Sequence, residues 1–129
     1  MILDSSAILA IQLRETGSET LLAKILASPK VVVGSPTVLE CILAMSTRVG
    51  NLDPRTVVLG FLRRLNAEIV EFTPEHMDAA ADAFLRYGKG RHPAALNFGD
   101  CIAYALASVS GYPLLYTGHD FAKTDVLSA

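Results

Sequence analysis

The segment NFGDCIAYALA, residues 97–107, begins with a helix-capping asparagine and continues with mostly apolar residues. This order predicts a buried helix that starts directly after Asn97. One carboxylate, Asp100, lies near the beginning of the predicted helix. Because burying an unpaired carboxylate is costly, proteins avoid it unless another group matches the charge. The segment therefore predicts a core helix and raises the question of what Asp100 does there.

Two other apolar segments contain an isolated acid in the same way. The segment VLECILAM (38–45) is apolar except for Glu40, and MILDSSAILA (1–10) is apolar except for Asp4 and two serines. Three lone acids thus lie in three of the most hydrophobic parts of the sequence, which makes them the first candidates for a functional site.

Length and composition limit the class of protein. A chain of 129 residues suits one domain, residues 1–129, built around one core. Its residues are 51% hydrophobic and 19% charged, which argues against intrinsic disorder. The net charge of −2 argues weakly against a broad nucleic-acid-coating surface but leaves room for a local basic groove.

The cysteines and the N-terminus indicate the compartment. Cys41 and Cys101 form neither a disulfide framework nor a zinc-type spacing, so we expect two reduced core residues. No signal-peptide pattern begins the sequence, and no apolar run approaches the ~20 residues that a bilayer requires. We therefore expect a soluble, cytoplasmic protein.

Short apolar segments alternate with helical patterns along the chain. The predicted strands are Met1–Leu3, Val31–Val33, Glu68–Val70 and Pro113–Tyr116. The predicted helices are Ser5/Ser6 to about Arg14, Ser18–Ala27, and four that begin at the capping signals Ser35-Pro36, Asp53-Pro54, Thr73-Pro74 and Asn97, the last ending at Gly111. This alternation predicts an α/β protein with a mostly parallel sheet covered on both faces.

Asp4 follows the first predicted strand directly. In open α/β sheets, ligands bind beyond the carboxyl ends of the strands. Asp4 could instead cap the next helix, but Ser5 and Ser6 are equally suited to that task. If a serine is the cap, Asp4 has no necessary structural role and is free to bind a ligand.

Glu40 and Asp100 each have a structural alternative as well. Glu40 could favour the positive end of its helix, but that stabilises by only ~0.3–1 kcal/mol, so Glu40 must reach solvent or a polar pocket. Asp100 could bond back to the cap at Asn97. Gly99 weakens the first helical turn and suggests that another group approaches closely there.

A divalent cation would explain all three acids together. At one edge of a parallel sheet, three carboxylates would repel one another and resist ionisation. Hard cations such as Mg²⁺ take oxygen ligands and keep several waters, and Mn²⁺ suits the same ligands. Zinc is disfavoured because the histidines and cysteines are not clustered. Asp120, in TGHDF (117–121), is either a further ligand or a turn residue.

The ordered set of these residues resembles the PIN-domain ribonucleases, and within them the VapC toxins of bacterial toxin–antitoxin pairs. The set comprises Asp4-Ser-Ser-Ala after the first strand, Glu40 on a helix, GDCIAYALA with Asp100, and TGHDF after the last strand. The stretch GKGRHPAALNFGDCIAYALA is especially similar to one VapC subgroup. The resemblance covers essentially the whole chain.

The resemblance implies a PIN-like α/β/α sandwich with four to five strands and a Mg²⁺- or Mn²⁺-dependent endoribonuclease. Asp4, Glu40 and Asp100 match the core acids of the family. Asp120 matches less cleanly, because His119 occupies the usual spacing after Thr117, so Asp120 is a second-tier ligand. Ser6 and Thr117 match small hydroxyl positions beside the site. Glu40 is the residue expected to orient or deprotonate the attacking water.

Partners also follow from the resemblance. It implies an RNA substrate, a homodimer and a small VapB-type antitoxin that inserts a basic residue among the acids. Arg86, Lys89, Arg91 and His92 precede the Asp100 helix and either hold the RNA backbone by charge or form a solvated loop. The apolar helix Pro54–Leu65 is a candidate surface for burial against a partner.

Two other functions remain open from the sequence. A non-catalytic RNA- or protein-binding PIN module would keep the core and lose an acid, whereas all three principal acids are present. A metal-dependent phosphohydrolase of small phosphate esters would use similar carboxylates. Such enzymes typically add an Asp-x-Asp nucleophile or a phosphate-binding glycine-rich loop, and the first strand here leads into Asp4-Ser5-Ser6 instead.

Overall fold

Four short parallel strands form the centre of the fold in a computed structural model that describes all 129 residues. The strands are β1 (Ile2–Leu3), β2 (Val32–Gly34), β3 (Glu68–Val70) and β4 (Leu114–Leu115), in the spatial order β3-β2-β1-β4. Ile2 pairs with Val32 on one side and with Leu114 on the other. A parallel bridge between Leu114 and Ser128 adds the C-terminal residues beside β4. The predicted parallel sheet is confirmed.

Six helices cover the sheet. They are α1 (Ser5–Gln12), α2 (Ser18–Ala27), α3 (Ser35–Met45), α4 (Pro54–Arg64), α5 (Pro74–Tyr87) and α6 (Phe98–Ser110), followed by one 3₁₀ turn at Phe121–Lys123. Asp53 caps α4 and Asn97 caps α6, as the sequence predicts. Gly111 ends α6 in the left-handed conformation at φ 68°. Ser35 was expected to cap α3, but Gly34 occupies that position and Ser35 is the first helical residue.

Alternate residues of the strands feed two cores on opposite faces of the sheet. Leu3, Val33 and Leu115 pack with α1, α2, α3 and α4 on one face. Ile2, Val32 and Leu114 pack with α5 and α6 on the other face. Because successive side chains of a strand point to opposite faces, strands buried on both sides are apolar throughout. The predicted α/β/α sandwich is confirmed.

Both cysteines are core residues. Cys41 belongs to one core and Cys101 to the other, and both are free thiols. Burial raises the pKa of Cys101 to about 11 and shifts the pKa of Cys41 further in the same direction. The prediction that both cysteines are core residues outside any disulfide is confirmed. No helix is both long and apolar enough to cross a membrane.

Candidate active site

Asp4 lies at the carboxyl end of β1 and is only 2% exposed. Its Oδ2 accepts hydrogen bonds from the Ser6 backbone N–H, at 2.9 Å, and from the Ser6 hydroxyl. Asp4 is therefore the cap of α1, which is the structural alternative that the sequence left open for it. The cap uses one oxygen, whereas Oδ1 is buried without any hydrogen-bond partner. Such an orphaned buried acceptor requires an explanation.

Glu40 reaches from the second turn of α3 towards the first turn of α6. A Cβ placed on Gly99 would lie 2.9 Å from each carboxylate oxygen of Glu40. The close approach predicted from the glycine is thereby confirmed, and the approaching group is a second acid of the set. Glu40 itself remains at the solvent edge.

Asp100 is held by a reciprocal capping box at the start of α6. The Asn97 backbone N–H donates to Asp100 Oδ2 at 2.8 Å, and the Asp100 N–H donates to Asn97 Oδ1 at 3.0 Å. The structural alternative weighed for Asp100 is thus correct. It engages only one of the two oxygens in a side-chain hydrogen bond, so a further role for Asp100 is compatible with the cap.

We call these three residues, Asp4, Glu40 and Asp100, the carboxylate edge. Burial raises the pKa of all three groups above its usual range, and burial is the largest cause in each case. The negative charge of Asp4 also raises the pKa values of Glu40 and Asp100. Hydrogen bonds from Ser6 to Asp4 and from Asn97 to Asp100 act in the opposite direction.

No cation of the protein neutralises the carboxylate edge. The ion pairs of the molecule are Lys30–Glu68, Arg55–Asp53 and Arg86–Asp125, none of which involves these acids. Mutual repulsion and burial therefore remain uncompensated within the chain. An added cation would relieve both.

The donor set fits a hard divalent cation. Asp4 Oδ1 is an unused buried oxygen, and carboxylate oxygens are the ligands such ions prefer. The side chains of His, Cys, Asp and Glu form no group of three or more that is arranged to hold a metal ion. Mg²⁺ does not need one, because it commonly binds one or two carboxylates and keeps several waters. The residues present thus suit Mg²⁺ or Mn²⁺ better than a fully liganded structural metal.

The segment after β4 lies against the same edge. The Thr117 backbone N–H donates to the Ser6 hydroxyl at 3.0 Å, and that hydroxyl donates to Asp4. Asp120 is exposed, and its charge contributes to the raised pKa of Asp100. His119 is exposed as well. The structure thus brings Ser6, Thr117 and Asp120 to the region where the sequence predicts them.

The basic residues proposed for RNA contact have mixed surroundings. Arg86 donates to Asp125 at 2.9 Å and to the Tyr87 hydroxyl at 2.7 Å, so its guanidinium already has partners. Arg91 lies over the Phe84 ring at 5.8 Å, and Lys89 is exposed. His92 Nδ1 accepts from the Ala94 N–H at 3.1 Å. An RNA role remains a prediction for all four residues.

An apolar groove, which the sequence did not reveal, borders the carboxylate edge. It is lined by Pro36, Leu39, Phe72, Met77, Ala80, Ala81, Phe84, Phe98, Cys101 and Ile102. Phe98 is 82% exposed and lies next to Gly99. The candidate partner surface on α4 stays a prediction, since the structure shows only that Val58, Phe61 and Leu62 of this helix lie in the core. Apolar content predicts that a helix is covered, but it does not distinguish cover by the chain from cover by a partner.

Comparisons with known proteins identify the family of the chain. The family model of the PIN domain matches residues 1–127. Ribonuclease VapC36 from Mycobacterium tuberculosis strain H37Rv is 44% identical over 127 residues, which cover 98% of this chain and 91% of that protein. The match therefore extends over both proteins nearly end to end.

Two solved structures share the fold at low sequence identity. The crystal structure of M. tuberculosis VapC20, a sarcin-ricin loop cleaving toxin, has a TM-score of 0.77 at 13% identity and covers 99% of this chain and 97% of that one. A toxin–antitoxin complex from Klebsiella pneumoniae has a TM-score of 0.76 at 13% identity, covering 99% and 95%. Because the family model and the relative both span almost the whole sequence, the chain belongs to the PIN-domain family, among the VapC ribonucleases.

Proposed function

We propose that the protein is the toxin of a VapBC-type toxin–antitoxin pair and acts as a divalent-metal-dependent endoribonuclease. The single observation that carries the chemistry is the carboxylate edge, where Asp4 keeps an unpartnered buried oxygen and no basic side chain offsets the charge. The relatives named ribonucleases, similar over nearly their full length, support RNA as the substrate.

Asp4, Asp100 and Glu40 are the proposed ligands of Mg²⁺ or Mn²⁺, with Asp120 in a second tier. Ser6 fixes one Asp4 oxygen and Asn97 fixes one Asp100 oxygen, which leaves the other oxygen of each carboxylate for the ion. When bound, the ion supplies a water of lowered pKa and stabilises negative charge on the phosphoryl group.

Glu40 is the proposed residue that orients the attacking water and accepts its proton. Its carboxylate lies at the solvent edge and is the most accessible of the three acids. Asp4, only 2% exposed and held by Ser6, is less accessible to an attacking water. Ser6 keeps Asp4 in place and connects it to Thr117, so this pair is a support for the site.

The proposed partners are a VapB-type antitoxin and a second copy of the chain, in the cytoplasm. A basic antitoxin side chain placed among Asp4, Glu40 and Asp100 would neutralise the same charge as a cation. The apolar groove beside Phe98 offers burial next to that point. Lys89 and Arg91 are the proposed contacts to the RNA backbone, because Arg86 already pairs with Asp125.

Cleavage of a mixed RNA pool in Mg²⁺, Mn²⁺ or EDTA tests the proposal, with Asp100→Asn as the site variant and Asp125→Asn as its matched control. Asparagine still accepts the cap hydrogen bond, so the fold should survive. We expect cleavage only with metal, a loss of at least ~100-fold in Asp100→Asn, and normal rates in Asp125→Asn. Full activity of Asp100→Asn, or hydrolysis of small phosphate esters in place of RNA, would contradict the proposal.

A further inference from the structure

Gly99 is the second residue of α6 and directly precedes Asp100. The three heavy atoms closest to a Cβ at this position all belong to Glu40: Oε1 and Oε2 at 2.9 Å and Cδ at 3.2 Å. Real Cβ atoms essentially never approach other heavy atoms to less than 3.0 Å. Any side chain at residue 99 and the Glu40 carboxylate therefore compete for the same space.

The backbone does not require glycine at this position. The residues with positive φ are elsewhere, and Gly99 has the ordinary conformation of a helix. Glycine is also among the poorest helix-forming residues, so the helix alone would favour alanine. The advantage of glycine must come from the space that it leaves empty.

Two other glycines differ from Gly99 in the atoms that an added Cβ would contact. At Gly88, a Cβ would collide with the backbone carbonyl and the ring of Phe84, so that glycine is required by the fold itself. At Gly60 in α4, the closest atom is Arg64 Nη1 at 3.7 Å, which is an ordinary contact. At Gly99, the obstructing atoms are the end of a flexible side chain, which can move without disturbing the fold.

We propose that Gly99 is a positioning residue, whose missing side chain lets the Glu40 carboxylate lie against the first turn of α6 beside Asp100. The carboxylate then lies at the amino end of α6, where the helix dipole favours negative charge. A methyl group at residue 99 displaces the carboxylate towards solvent and leaves Asp4 and Asp100 where they are. The catalytic consequence rests on the proposed nuclease function, whereas the steric claim does not.

A double-mutant cycle without metal tests the steric claim. Gly99→Ala is made in the native protein and in Glu40→Ala, and the unfolding temperature is measured in EDTA. Gly99→Ala should raise the unfolding temperature by at least about 2 °C more in the Glu40→Ala background than in the native protein. The reason is that the added methyl group contacts no carboxylate when Glu40 is replaced. Gly60→Ala serves as the control, with the same gain in both backgrounds.

The consequence for the site is tested by Mn²⁺ affinity and RNA cleavage. Gly99→Ala should reduce both by about 10- to 100-fold, whereas Gly60→Ala should change neither. In the Gly99→Ala background, Glu40→Asp should recover part of the activity, since its shorter side chain avoids the added methyl. This rescue distinguishes displacement of a carboxylate from a general loss of structure.

The positioning role of Gly99 and the proposed nuclease function can be contradicted by different results. Additive unfolding temperatures in the cycle, or native Mn²⁺ affinity and cleavage in Gly99→Ala, would overturn the positioning role. If the native protein cleaves no RNA while the cycle is non-additive and Mn²⁺ affinity falls, the positioning role stands and the proposed nuclease function fails.

Discussion

Asp4 and Asp125 both accept a hydrogen bond from a hydroxyl group, yet their surroundings shift their pKa values in opposite directions. Asp125 accepts from the Tyr104 hydroxyl and pairs with Arg86 at 2.9 Å, and the hydrogen bond from Tyr104 is the largest cause of its lowered pKa. Asp4 accepts from Ser6, but burial outweighs that bond and raises its pKa.

The difference distinguishes Asp125, whose charge the protein itself satisfies, from Asp4, the proposed metal ligand. The Asp125 side chain is 54% exposed and has both a hydroxyl donor and a cation, so the protein supplies what its charge needs. Asp4 is 2% exposed, its charge raises the pKa values of two other acids, and one of its oxygens has no hydrogen-bond donor. An arrangement that is costly in the protein alone indicates that a ligand completes it.

Neutralising each carboxylate should give opposite results, and this is the largest effect we predict. Asp4→Asn keeps the cap of α1 but removes a charge, so RNA cleavage should fall by at least ~100-fold while stability without metal stays equal or rises. Asp125→Asn should cleave normally and lose stability. Chemical unfolding in EDTA and initial cleavage rates measure the two quantities. A strongly destabilised Asp4→Asn protein would show that the carboxylate is structural.

The pH dependence of stability should also differ between the two regions. At the carboxylate edge, the raised pKa values mean that the folded protein binds more protons than the unfolded chain. The free energy of unfolding in EDTA should therefore fall as pH rises from the usual carboxyl range through the folded pKa values. Asp125 has a lowered pKa, so its contribution to stability is present above the pKa of an aspartate in the unfolded chain and is lost as pH falls through the folded pKa.

Denaturant unfolding between about pH 4.5 and 8 measures this dependence, with Asp4→Asn and Glu40→Gln beside the native protein. Both variants should have a shallower dependence than the native protein. An identical dependence of unfolding free energy on pH in all three proteins would mean that the ionised acids do not destabilise the fold. Excess Mg²⁺ should reduce the native slope, because the bound ion favours the ionised carboxylates.

The hydroxyl that anchors Asp125 should have a smaller effect. Tyr104→Phe removes the hydrogen bond between the Tyr104 hydroxyl and Asp125 and should cost about 1 kcal/mol of unfolding free energy. Cleavage should be unchanged, because Tyr104 belongs to the core on the α5–α6 face. The same denaturant titration provides the measurement. A large loss of cleavage would link the Asp125 region to the site.

The basic residues provide the smallest expected effect. Replacing Lys89 and Arg91 together by Gln should weaken RNA binding a few-fold and reduce its salt dependence, since each phosphate contact contributes modestly. Arg86→Gln should leave the salt dependence unchanged, because Arg86 is engaged by Asp125. Filter binding at two salt concentrations tests both variants. An equal effect of Arg86→Gln would place its guanidinium on the RNA.

Local signals in the sequence predicted most of the fold. The caps at Asp53 and Asn97 and the proline that follows Asp53 specify where helices begin, and the cap hydrogen bonds join residues two or three apart. The cap of α1 stayed open from the sequence because Asp4, Ser5 and Ser6 are all competent caps. Which of the three caps the helix depends on the direction in which the chain leaves β1, and the sheet determines that direction.

The long-range parts of the site could be suspected but not identified from the sequence. Gly99 signalled a close approach, but only the packing of α3 against α6 shows that Glu40 is the neighbour. The pairing of Tyr104 with Asp125 and the apolar groove beside Phe98 depend in the same way on which helices meet. Hydrophobic patterns predict that a face is buried and leave its neighbour unspecified.

Calorimetric titration of Mn²⁺ into the native protein, Asp4→Asn and Asp125→Asn tests the central claim most directly. The claim is that the carboxylate edge is incomplete until a divalent cation binds. It predicts binding to the native protein and to Asp125→Asn, and loss of that binding in a folded Asp4→Asn. Absence of binding to the native protein, or equal affinity in all three proteins, would contradict it.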